Sequence, residues 1–404
     1  MKRPSVTILG GGFAGLACAN ALDARRFAVT LVDRKAHFEF LPNIHELLSG
    51  VKKPAQLRLD LNDAMQALGH SFIRAEVEAL DPRERSLRLG PRRQLAGDYL
   101  VVALGSADAD FGVAGVRQHS FGFKSVSECQ AIHRQLETMK RRAKSSRLLI
   151  VGAGLEGIEA LGEVLRGYRD TALHITLVEA RPALLPEMPA AVGRHIASLC
   201  EHWAVECITG DPVTKITPKT VLLRSGRRLR SDATIWTGGP TPPALLASAG
   251  LAPEGAWAPV SANLEHRDFR DVFIAGDAAR TQTAISKQAY HALDMGRCVA
   301  LNIQRRSGGR RLRAYRPSTK PTLLAFGDLD TVLIAEQGAL AGPALAAAKE
   351  TVFTGVMTQL DPRPARERLG AVLQRGRAAT RELLWPTVQN WARLRRQAQL
   401  RLLK

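Results

Sequence analysis

Two clusters of glycines have a spacing that could bind the pyrophosphate of a dinucleotide. Both follow the pattern G-x-G-x-x-G. In this pattern the first glycine makes a tight turn, the second lets the backbone approach a pyrophosphate, and the third lets a helix pack closely on a strand. The residues are Gly10, Gly12, Gly15, Gly152, Gly154 and Gly157. The sequence therefore predicts two dinucleotide sites, or one working site and one relic of a second.

The segments around the first cluster are the ones that such a site needs. Residues 6–9 are an apolar run typical of a strand, and residues 16–23 are typical of a helix whose N-terminus faces the phosphates. A second apolar run, residues 27–33, ends in Asp33. A carboxylate at that place can accept hydrogen bonds from a ribose.

The second cluster has the same surroundings. A strand is predicted over residues 147–151, a helix follows, and the strand over residues 173–179 ends in Glu179. An acid there favours the free 2′-hydroxyl of NADH, whereas Arg181 leaves NADPH as an alternative. Two dinucleotides in one chain indicate one that is held permanently and one that exchanges, as when FAD and a nicotinamide cofactor share a flavoprotein.

Two later segments support FAD at the first cluster. The run DYLVVALGS reads as a strand followed by Gly105, and DVFIAGDAA reads as a strand that ends at Gly276 and Asp277. The Asp277 carboxylate could bond ribityl hydroxyls of FAD. It could also cap a following helix, and the two roles are compatible.

Together the motifs GGGFAG, LVVALGS, GAGLEG, LVE, TGG and AGDAA resemble those of the two-dinucleotide-binding-domain flavoproteins of the pyridine nucleotide-disulfide oxidoreductase superfamily. Within this group, residues 5–360 resemble type II NADH:quinone oxidoreductases and ferroptosis-suppressor-like (AIF-family) quinone reductases. The resemblance implies an α/β fold with two Rossmann-like domains, the NADH domain inserted in the FAD domain, a small C-terminal sheet and amphipathic helices. The implied domains are FAD-binding 1–120, NAD(P)H-binding 121–255, FAD-binding 256–316, a sheet or cap 317–362, and membrane-anchor helices 363–404.

The resemblance also assigns roles to residues near the reaction. Glu159 takes the place of a glutamate beside the nicotinamide and the flavin, although an acid there could merely offset the helix dipole. Lys287 would add a positive charge at the flavin, and Gln288 matches a glutamine near the quinone. Ala292 stands where the respiratory enzymes have a second glutamine.

Further contacts are implied for the two cofactors and the quinone. Pro42 would pack by the isoalloxazine, Lys35 and Val77 would join the FAD contacts, and Gly238 and Gly239 would let the backbone approach NADH. The quinone pocket would be walled by Tyr290 and His291, with a plain surface histidine as the alternative for the latter.

The expected activity is an FAD-dependent oxidoreductase that transfers hydride from NADH to FAD and two electrons to a membrane quinone. No CxxxxC pair occurs, so a redox-active disulfide of that type is not expected, and the five scattered cysteines suit packing in a reducing cytoplasm. The alternatives are a sulfide:quinone oxidoreductase, an NAD(P)H-dependent reductase of a small iron–sulfur protein, and a redox-sensing or nucleic-acid-binding protein.

Charge and periodicity indicate where the protein acts. The net charge is +19, and residues 363–404 hold 11 Arg or Lys against two Glu. Residues 365–404 read as two helices, the second being basic and amphipathic with Trp391 and Leu402 in its apolar stripe. We expect peripheral binding to anionic lipids on the cytoplasmic side of the inner (plasma) membrane. Packing on the protein itself or on a mate in a homodimer is the alternative.

Other features of the chain set limits on these expectations. No apolar run reaches the ~18 residues of a membrane span. No helix-turn-helix or zinc motif is apparent, so no nucleic acid is expected as a partner. Residues 304–316, with six arginines, read as a loop, and residues 322–342 read as two strands with turns at Gly327 and near Gly338.

Overall fold

A computed structural model describes residues 3–142, 145–336, 338–363 and 400–403. The strands are β1 (Ser5–Leu9), β2 (Ala28–Asp33), β3 (His37–Glu39), β4 (Arg58–Asp60), β5 (Ser71–Arg74), β6 (Ala79–Asp81), β7 (Ser86–Arg88), β8 (Gln94–Ala96), β9 (Tyr99–Val102), β10 (Ala107–Asp108), β11 (Ser146–Val151), β12 (Leu173–Glu179), β13 (Glu206–Thr209), β14 (Val213–Ile216), β15 (Thr220–Leu223), β16 (Arg228–Arg230), β17 (Ala233–Trp236), β18 (Pro240–Thr241), β19 (Ala258–Pro259), β20 (Val272–Ile274), β21 (Ala279–Arg280), β22 (Thr322–Phe326), β23 (Asp330–Ala335), β24 (Gly338–Ala341) and β25 (Arg401–Leu403).

The α-helices are α1 (Phe13–Asn20), α2 (Leu61–Ala67), α3 (Val116–His119), α4 (Val126–Lys140), α5 (Leu155–Tyr168), α6 (Ala190–His202), α7 (Ala244–Ser248), α8 (Ala289–Ser307) and α9 (Leu345–Leu360). Short 3₁₀ helices cover Leu41–Leu47, Pro54–Leu57 and Gly276–Ala278. None of the helices in the described residues is long and apolar enough to cross a membrane.

The first sheet is parallel and has the strand order β20-β9-β1-β2-β5. Its central strand β1 has the apolar sequence that a strand covered on both faces requires, and Ile8 is fully buried. Helices α1 and α8 pack against each other beside this sheet, and a β-carbon on Gly296 would lie 2.1 Å from the Ala14 carbonyl oxygen. Glycine at this point permits the close helix contact.

The second sheet is also parallel, with the order β13-β12-β11-β17. All its strands lie in the chain between β9 and β20 of the first sheet. The expected fold of two Rossmann-like units, one inserted in the other, is confirmed.

The C-terminal sheet contains more strands than expected. Strands β22, β23 and β24 form an antiparallel meander, and β24 begins at Gly338, where the sequence suggested a turn. Strand β25 pairs with β24, with Leu402 opposite Leu340, so the prediction that Leu402 lies on a helix was wrong. The edge of β24 supplies backbone partners that periodicity could not reveal. The rest of the predicted C-terminal helices, residues 364–399, lies outside the described residues.

The arginine-rich segment also begins differently from the prediction. Helix α8 continues to Ser307, so Arg305 and Arg306 lie in its last turn instead of a loop. Cations there are favoured by the negative end of the helix dipole. Arg306 also bonds the Glu265 carboxylate at 2.7 Å, which holds the end of the helix on the domain.

Candidate functional site

The first glycine loop joins β1 to α1. Gly10 has φ +105°, and a β-carbon on it would lie 2.3 Å from the Ala103 carbonyl oxygen. A β-carbon on Gly15 would lie 1.8 Å from the Gly10 carbonyl oxygen, so this glycine lets the helix pack on the strand. A β-carbon on Gly12 would meet nothing within 4 Å. The open position is the one at which a pyrophosphate would approach the backbone.

The end of β2 lies beside this loop. Asp33 accepts a hydrogen bond from the Gly11 amide at 2.7 Å and another from the Lys35 amide at 2.8 Å. The carboxylate is thereby fixed at the loop, where a ribose would lie. The Lys35 ammonium forms an ion pair with Glu39 at 2.8 Å, so its charge is already partnered.

The second glycine loop repeats the first between β11 and α5. Gly152 has φ +100°, and a β-carbon on Gly157 would lie 1.8 Å from the Gly152 carbonyl oxygen. Gly154 again has open space around its missing β-carbon. Glu179, at the end of β12, accepts the Ala153 amide at 2.7 Å, as Asp33 accepts its counterpart in the first loop.

The Glu179 carboxylate is held by backbone amides on both sides. Glu179 also accepts the Arg181 amide at 2.8 Å. The Arg181 guanidinium lies 3.6 Å from Glu187, and both side chains are largely exposed. Arg181 therefore interacts with Glu179 through its backbone, while its charge points to a surface partner.

A third carboxylate, that of Asp277, lies at the C-terminal end of the first sheet in the 3₁₀ turn after β20. Its Oδ2 accepts the Ser106 hydroxyl at 3.3 Å. Burial raises the pKa of Asp277, and Lys287 opposes that shift. The Lys287 ammonium donates to the carbonyl oxygens of Asp277 and, at 3.3 Å, Ala279. Gly276 has φ +72°, which the sharp turn into Asp277 requires.

Lys287 lies in an aromatic setting that the sequence did not reveal. Its ammonium is 3.8 Å from the centroid of the Trp257 ring, a cation–π contact. Burial lowers the pKa of Lys287, and Asp277 raises it in part. Gly105 follows β9 with φ +66° at the same end of the sheet. Lys287, Asp277 and Gly105 are thus gathered where parallel strands end.

The N-terminus of α8 begins one residue after Gln288. The Gln288 side chain donates to the Thr322 hydroxyl at 3.1 Å and does not cap the helix. His291 is buried and lies 3.1 Å from the Tyr315 hydroxyl, so the surface-histidine alternative was wrong. Burial lowers the pKa of His291. Tyr290 is half-buried next to it.

The remaining predicted contacts are distributed around both loops. Pro42 lies in the 3₁₀ helix Leu41–Leu47, and Val77 is half-buried in the segment after β5. A β-carbon on Gly238 would lie 2.3 Å from Trp236 Nε1, so a larger residue would displace the indole. Gly239 has φ +87° and open space around it. Their contacts with cofactors stay predictions.

Glu159 lies in a buried cluster of charges between α5, α9 and the 3₁₀ helix Leu41–Leu47. Its carboxylate pairs with the Lys349 ammonium and lies 3.4 Å from His45 Nδ1. The Ala325 amide donates to it at 3.3 Å. Burial raises the pKa of Glu159, and Lys349 opposes the shift. These partners come from other elements, so the carboxylate does more than offset the dipole of α5.

His45 joins the two charges of this pair. The Lys349 ammonium lies 3.3 Å from His45 Nε2, and an ammonium can only donate, so Nε2 accepts. Nδ1 then carries the proton and faces Glu159. Burial, followed by the charges of Lys349, Lys52 and Arg166, lowers the pKa of His45 well below its usual value, so the ring is neutral.

A second buried ion pair lies beside the first. The Lys52 ammonium is 2.6 Å from Glu350 and 3.4 Å from Glu46, and it lies 4.6 Å from the centroid of the Phe353 ring. Burial disfavours the charge of Lys52, but the two carboxylates outweigh it and raise its pKa. This pair fixes α9 against the 3₁₀ helix that carries His45.

Glu163 lies one turn after Glu159 on α5. Its carboxyl is hydrogen-bonded by the Ser49 hydroxyl, and Arg166 approaches to 3.4 Å. Burial raises the pKa of Glu163 to about 7, which Arg166 only partly opposes. The residue is 1% exposed, so its proton is held inside the protein.

Most of this cluster was not predicted from the sequence. The unflagged members are His45, Glu46, Lys52, Glu163, Lys349 and Glu350. One local signal was available, because Glu163 interrupts the apolar stretch of α5, and Lys349 with Glu350 interrupts an alanine-rich stretch in α9. Charged residues are almost never fully buried unless they are paired, so such interruptions indicate buried partners.

Comparison with known proteins places the chain. A family model described as pyridine nucleotide-disulphide oxidoreductase matches residues 4–296. A type II NADH:quinone oxidoreductase of Staphylococcus aureus is 23% identical over 381 residues, covering 87% of this chain and 94% of the relative. NDH2 from Plasmodium falciparum, solved in complex with NADH, superimposes with a TM-score of 0.81 at 14% identity, covering 94% of this chain and 99% of that one.

A second solved structure is almost as similar in fold. The sulfide:quinone oxidoreductase of Aquifex aeolicus has a TM-score of 0.77 at 20% identity, and the match covers 90% of this chain and 94% of that chain. At these identities the structural likeness shows the fold, and the site residues must distinguish between activities.

Proposed function

Because the chain belongs to the pyridine nucleotide-disulphide oxidoreductase family, we propose that it is an FAD-dependent NADH:quinone oxidoreductase. One observation carries the proposal. Each of the two glycine loops leaves its middle glycine, Gly12 or Gly154, in open space and has an acidic strand end that accepts a loop amide. The chain is therefore shaped to hold two dinucleotides at once.

The residues at the first loop fit FAD. Gly12 leaves room for the pyrophosphate, Asp33 can accept ribose hydroxyls, and Asp277 can bond the ribityl chain. Lys287 adds a cation next to Asp277, which would favour a reduced, anionic flavin. A bound flavin supplies the chemistry of accepting a hydride and passing on two electrons.

The residues at the second loop fit NADH. Gly154 leaves room for the pyrophosphate, and the fixed carboxylate of Glu179 can accept both hydroxyls of the adenosine ribose. A 2′-phosphate would meet that negative charge, so NADH is preferred over NADPH. Glu159 follows Gly157 in the first turns of α5, and we propose that it positions the nicotinamide. Lys349 and His45 hold its carboxylate in place.

The cysteines bear on the identity of the electron donor. Cys18 and Cys129 are buried, and burial raises the pKa of both thiols. Cys298, on α8, is half-buried, and burial raises its pKa to about 11. Thiols that are buried and have raised pKa values are poor nucleophiles, which disfavours sulfide as the electron donor. The name of the staphylococcal relative supports a quinone as the acceptor.

The place of action follows from the substrate. A membrane quinone must be reached at a bilayer surface, and residues 363–404 carry 11 Arg or Lys against two Glu. We propose peripheral binding to anionic lipids through this segment, on the cytoplasmic side of the inner (plasma) membrane. Sedimentation with vesicles that contain phosphatidylglycerol, and not with neutral vesicles, would test it. A homodimer would be tested by light scattering.

The first experiment follows flavin absorbance under anaerobic conditions. Purified protein should show a flavin band that NADH bleaches and that a short-chain quinone restores. Gly154→Val should retain flavin but lose bleaching by NADH, because the substitution fills only the second loop. Gly12→Val should lose the flavin itself. A flavin band that NADH leaves unchanged would refute the assignment of the second loop, and bleaching without recovery would refute the quinone.

A further inference from the structure

A basic groove lies beside the small antiparallel sheet β6-β7-β8, outside both cofactor sites. It encloses about 870 Å³ and is lined by residues of that sheet and its turns, by Ala249 and Gly250 after α7, and by Phe269. A volume of this size is typical of a site for a small molecule. None of the lining residues belongs to either glycine loop, and the proposed reaction makes no use of the groove.

The lining of the groove is strongly positive. Its four arginines are Arg83, Arg88, Arg92 and Arg93. The one acid, Asp81, already accepts the amides of Arg83 and Glu84 at 2.8 and 3.1 Å. Arg88 forms an exposed ion pair with Glu78 at 3.5 Å, and within the described part of the chain the other three arginines have no carboxylate at ion-pair distance. The groove therefore carries positive charge that the protein does not compensate.

Hydrogen bonds fix the backbone from which these arginines extend. The Leu89 amide donates to the Arg93 carbonyl oxygen at 2.8 Å, which closes the turn between β7 and β8. Gly90 has φ +138° in this turn, a conformation that glycine adopts readily. The Gln94 side chain donates to the buried Ser86 hydroxyl at 2.9 Å and ties β8 to β7. Two of the four arginines therefore start from a hydrogen-bonded turn.

The groove also has an apolar lining. The centroid of the Phe269 ring lies 5.0 Å from that of the His266 ring and 5.9 Å from the Arg83 guanidinium, so two neighbours hold the ring in place. The other apolar lining residues are Ala79, Leu80, Pro82, Pro91 and Ala249. A ligand that joins a planar organic group to anionic groups would contact both kinds of lining residue.

We propose that this groove binds a nucleotide that carries several phosphate groups. A guanidinium binds phosphate through two parallel hydrogen bonds, and more than one phosphate is needed to occupy Arg92 and Arg93 together. The apolar lining around Phe269 would contact the base. A nucleic acid would instead need basic residues spread over a more extended surface than this groove offers. The inference does not depend on the proposed electron acceptor.

Equilibrium dialysis with radiolabelled ATP tests the proposal on flavin-loaded protein that is saturated with NAD⁺. We expect one ATP to bind per chain. The double variant Arg92→Gln with Arg93→Gln should bind ATP at least about tenfold more weakly, because hydrogen bonds to charged groups are lost. Arg228→Gln with Arg230→Gln is the matched control, since both residues are exposed in β16 and the same charge is removed. Both double variants should retain flavin, and the control should bind ATP as the wild type does.

The two parts of the ligand can be tested separately. Inorganic tripolyphosphate should bind more weakly than ATP, and Phe269→Leu should weaken the binding of ATP without changing that of tripolyphosphate. The proposal is wrong if the wild type binds no ATP, or if the two double variants lose affinity equally. It is also wrong if Gly154→Val abolishes the binding of ATP, which would place ATP in the second loop, or if a short DNA duplex binds more tightly than ATP and displaces it.

Discussion

Replacing Lys349 with methionine tests whether the buried charges around Glu159 act as a unit. The substitution keeps the length of the side chain and removes its charge. Lys349 and Glu159 are 10% and 13% exposed at their side chains, so solvent screens the pair little. Glu159 would then be left buried with only His45 and the Ala325 amide as partners.

The structure sets the size of the effect. Removing one partner of a buried ion pair costs about 3–5 kcal/mol of unfolding free energy, because the other charge loses its compensation. The exposed pair Arg227–Glu206, with both side chains 50% exposed at a distance of 2.6 Å, provides the matched control. Its Arg227→Met variant should lose no more than about 1 kcal/mol.

The assay is urea unfolding followed by circular dichroism at equal flavin occupancy. The double variant Lys349→Met with Glu159→Gln should recover at least about 2 kcal/mol of the loss, since no unpaired charge then remains buried. Two results would refute the reasoning. One is a loss for Lys349→Met as small as for Arg227→Met, and the other is a double variant whose loss equals the sum of the single losses.

Three further predictions follow from the loops and the buried carboxyl. Gly15→Ala should prevent flavin binding and lower the melting temperature, because its β-carbon would lie 1.8 Å from the Gly10 carbonyl oxygen. Gly12→Ala should fold normally, since a β-carbon there meets nothing within 4 Å. Measurements of flavin content and of thermal unfolding distinguish the two variants. Glu163 has a pKa raised from 4.5 to about 7, so its proton stabilises the fold below pH 4.5 and this contribution is lost as the pH rises to about 7. Relative to Glu163→Gln, the wild type should lose about 3 kcal/mol of unfolding free energy between pH 4.5 and about pH 7, as measured by urea titrations. If the unfolding free energies of the two proteins change in parallel with pH, the argument from burial is contradicted. Glu179→Ala should raise KM for NADH by about tenfold, as the loss of one ribose hydrogen bond to a charged group predicts, and should reduce the preference for NADH over NADPH. Steady-state kinetics with both cofactors would measure the two effects, and an unchanged ratio of kcat/KM for NADH and NADPH would count against the role assigned to Glu179.

Some of the C-terminal region could not be predicted from its sequence pattern. Leu402 fits the periodicity of a helix, yet it lies in β25 opposite Leu340. Arg401 in the same strand bonds Asp330 of β23 at 2.6 Å. Strand formation at this point depends on a free sheet edge that becomes available only when the chain has folded, so local periodicity gave the wrong structure.

The sequence by itself determined the two dinucleotide-binding units and their order. The requirement is local: each glycine cluster must be preceded by a strand and followed at fixed spacing by a helix, and an acid must end the next strand. Asp33 and Glu179 could therefore be identified from their positions alone, and each accepts the amide of the residue that follows the first glycine of its loop.

Only the tertiary structure decided the surroundings of Glu159. Lys349 lies 190 residues from Glu159 in the chain. His45, which also contacts Lys349, lies 304 residues from Lys349. No spacing rule connects residues so distant. They meet because α5 and α9 both pack against strand β22, and α5 also packs against the 3₁₀ helix Leu41–Leu47. The charges enclosed there must pair, since an unpaired buried charge costs several kcal/mol.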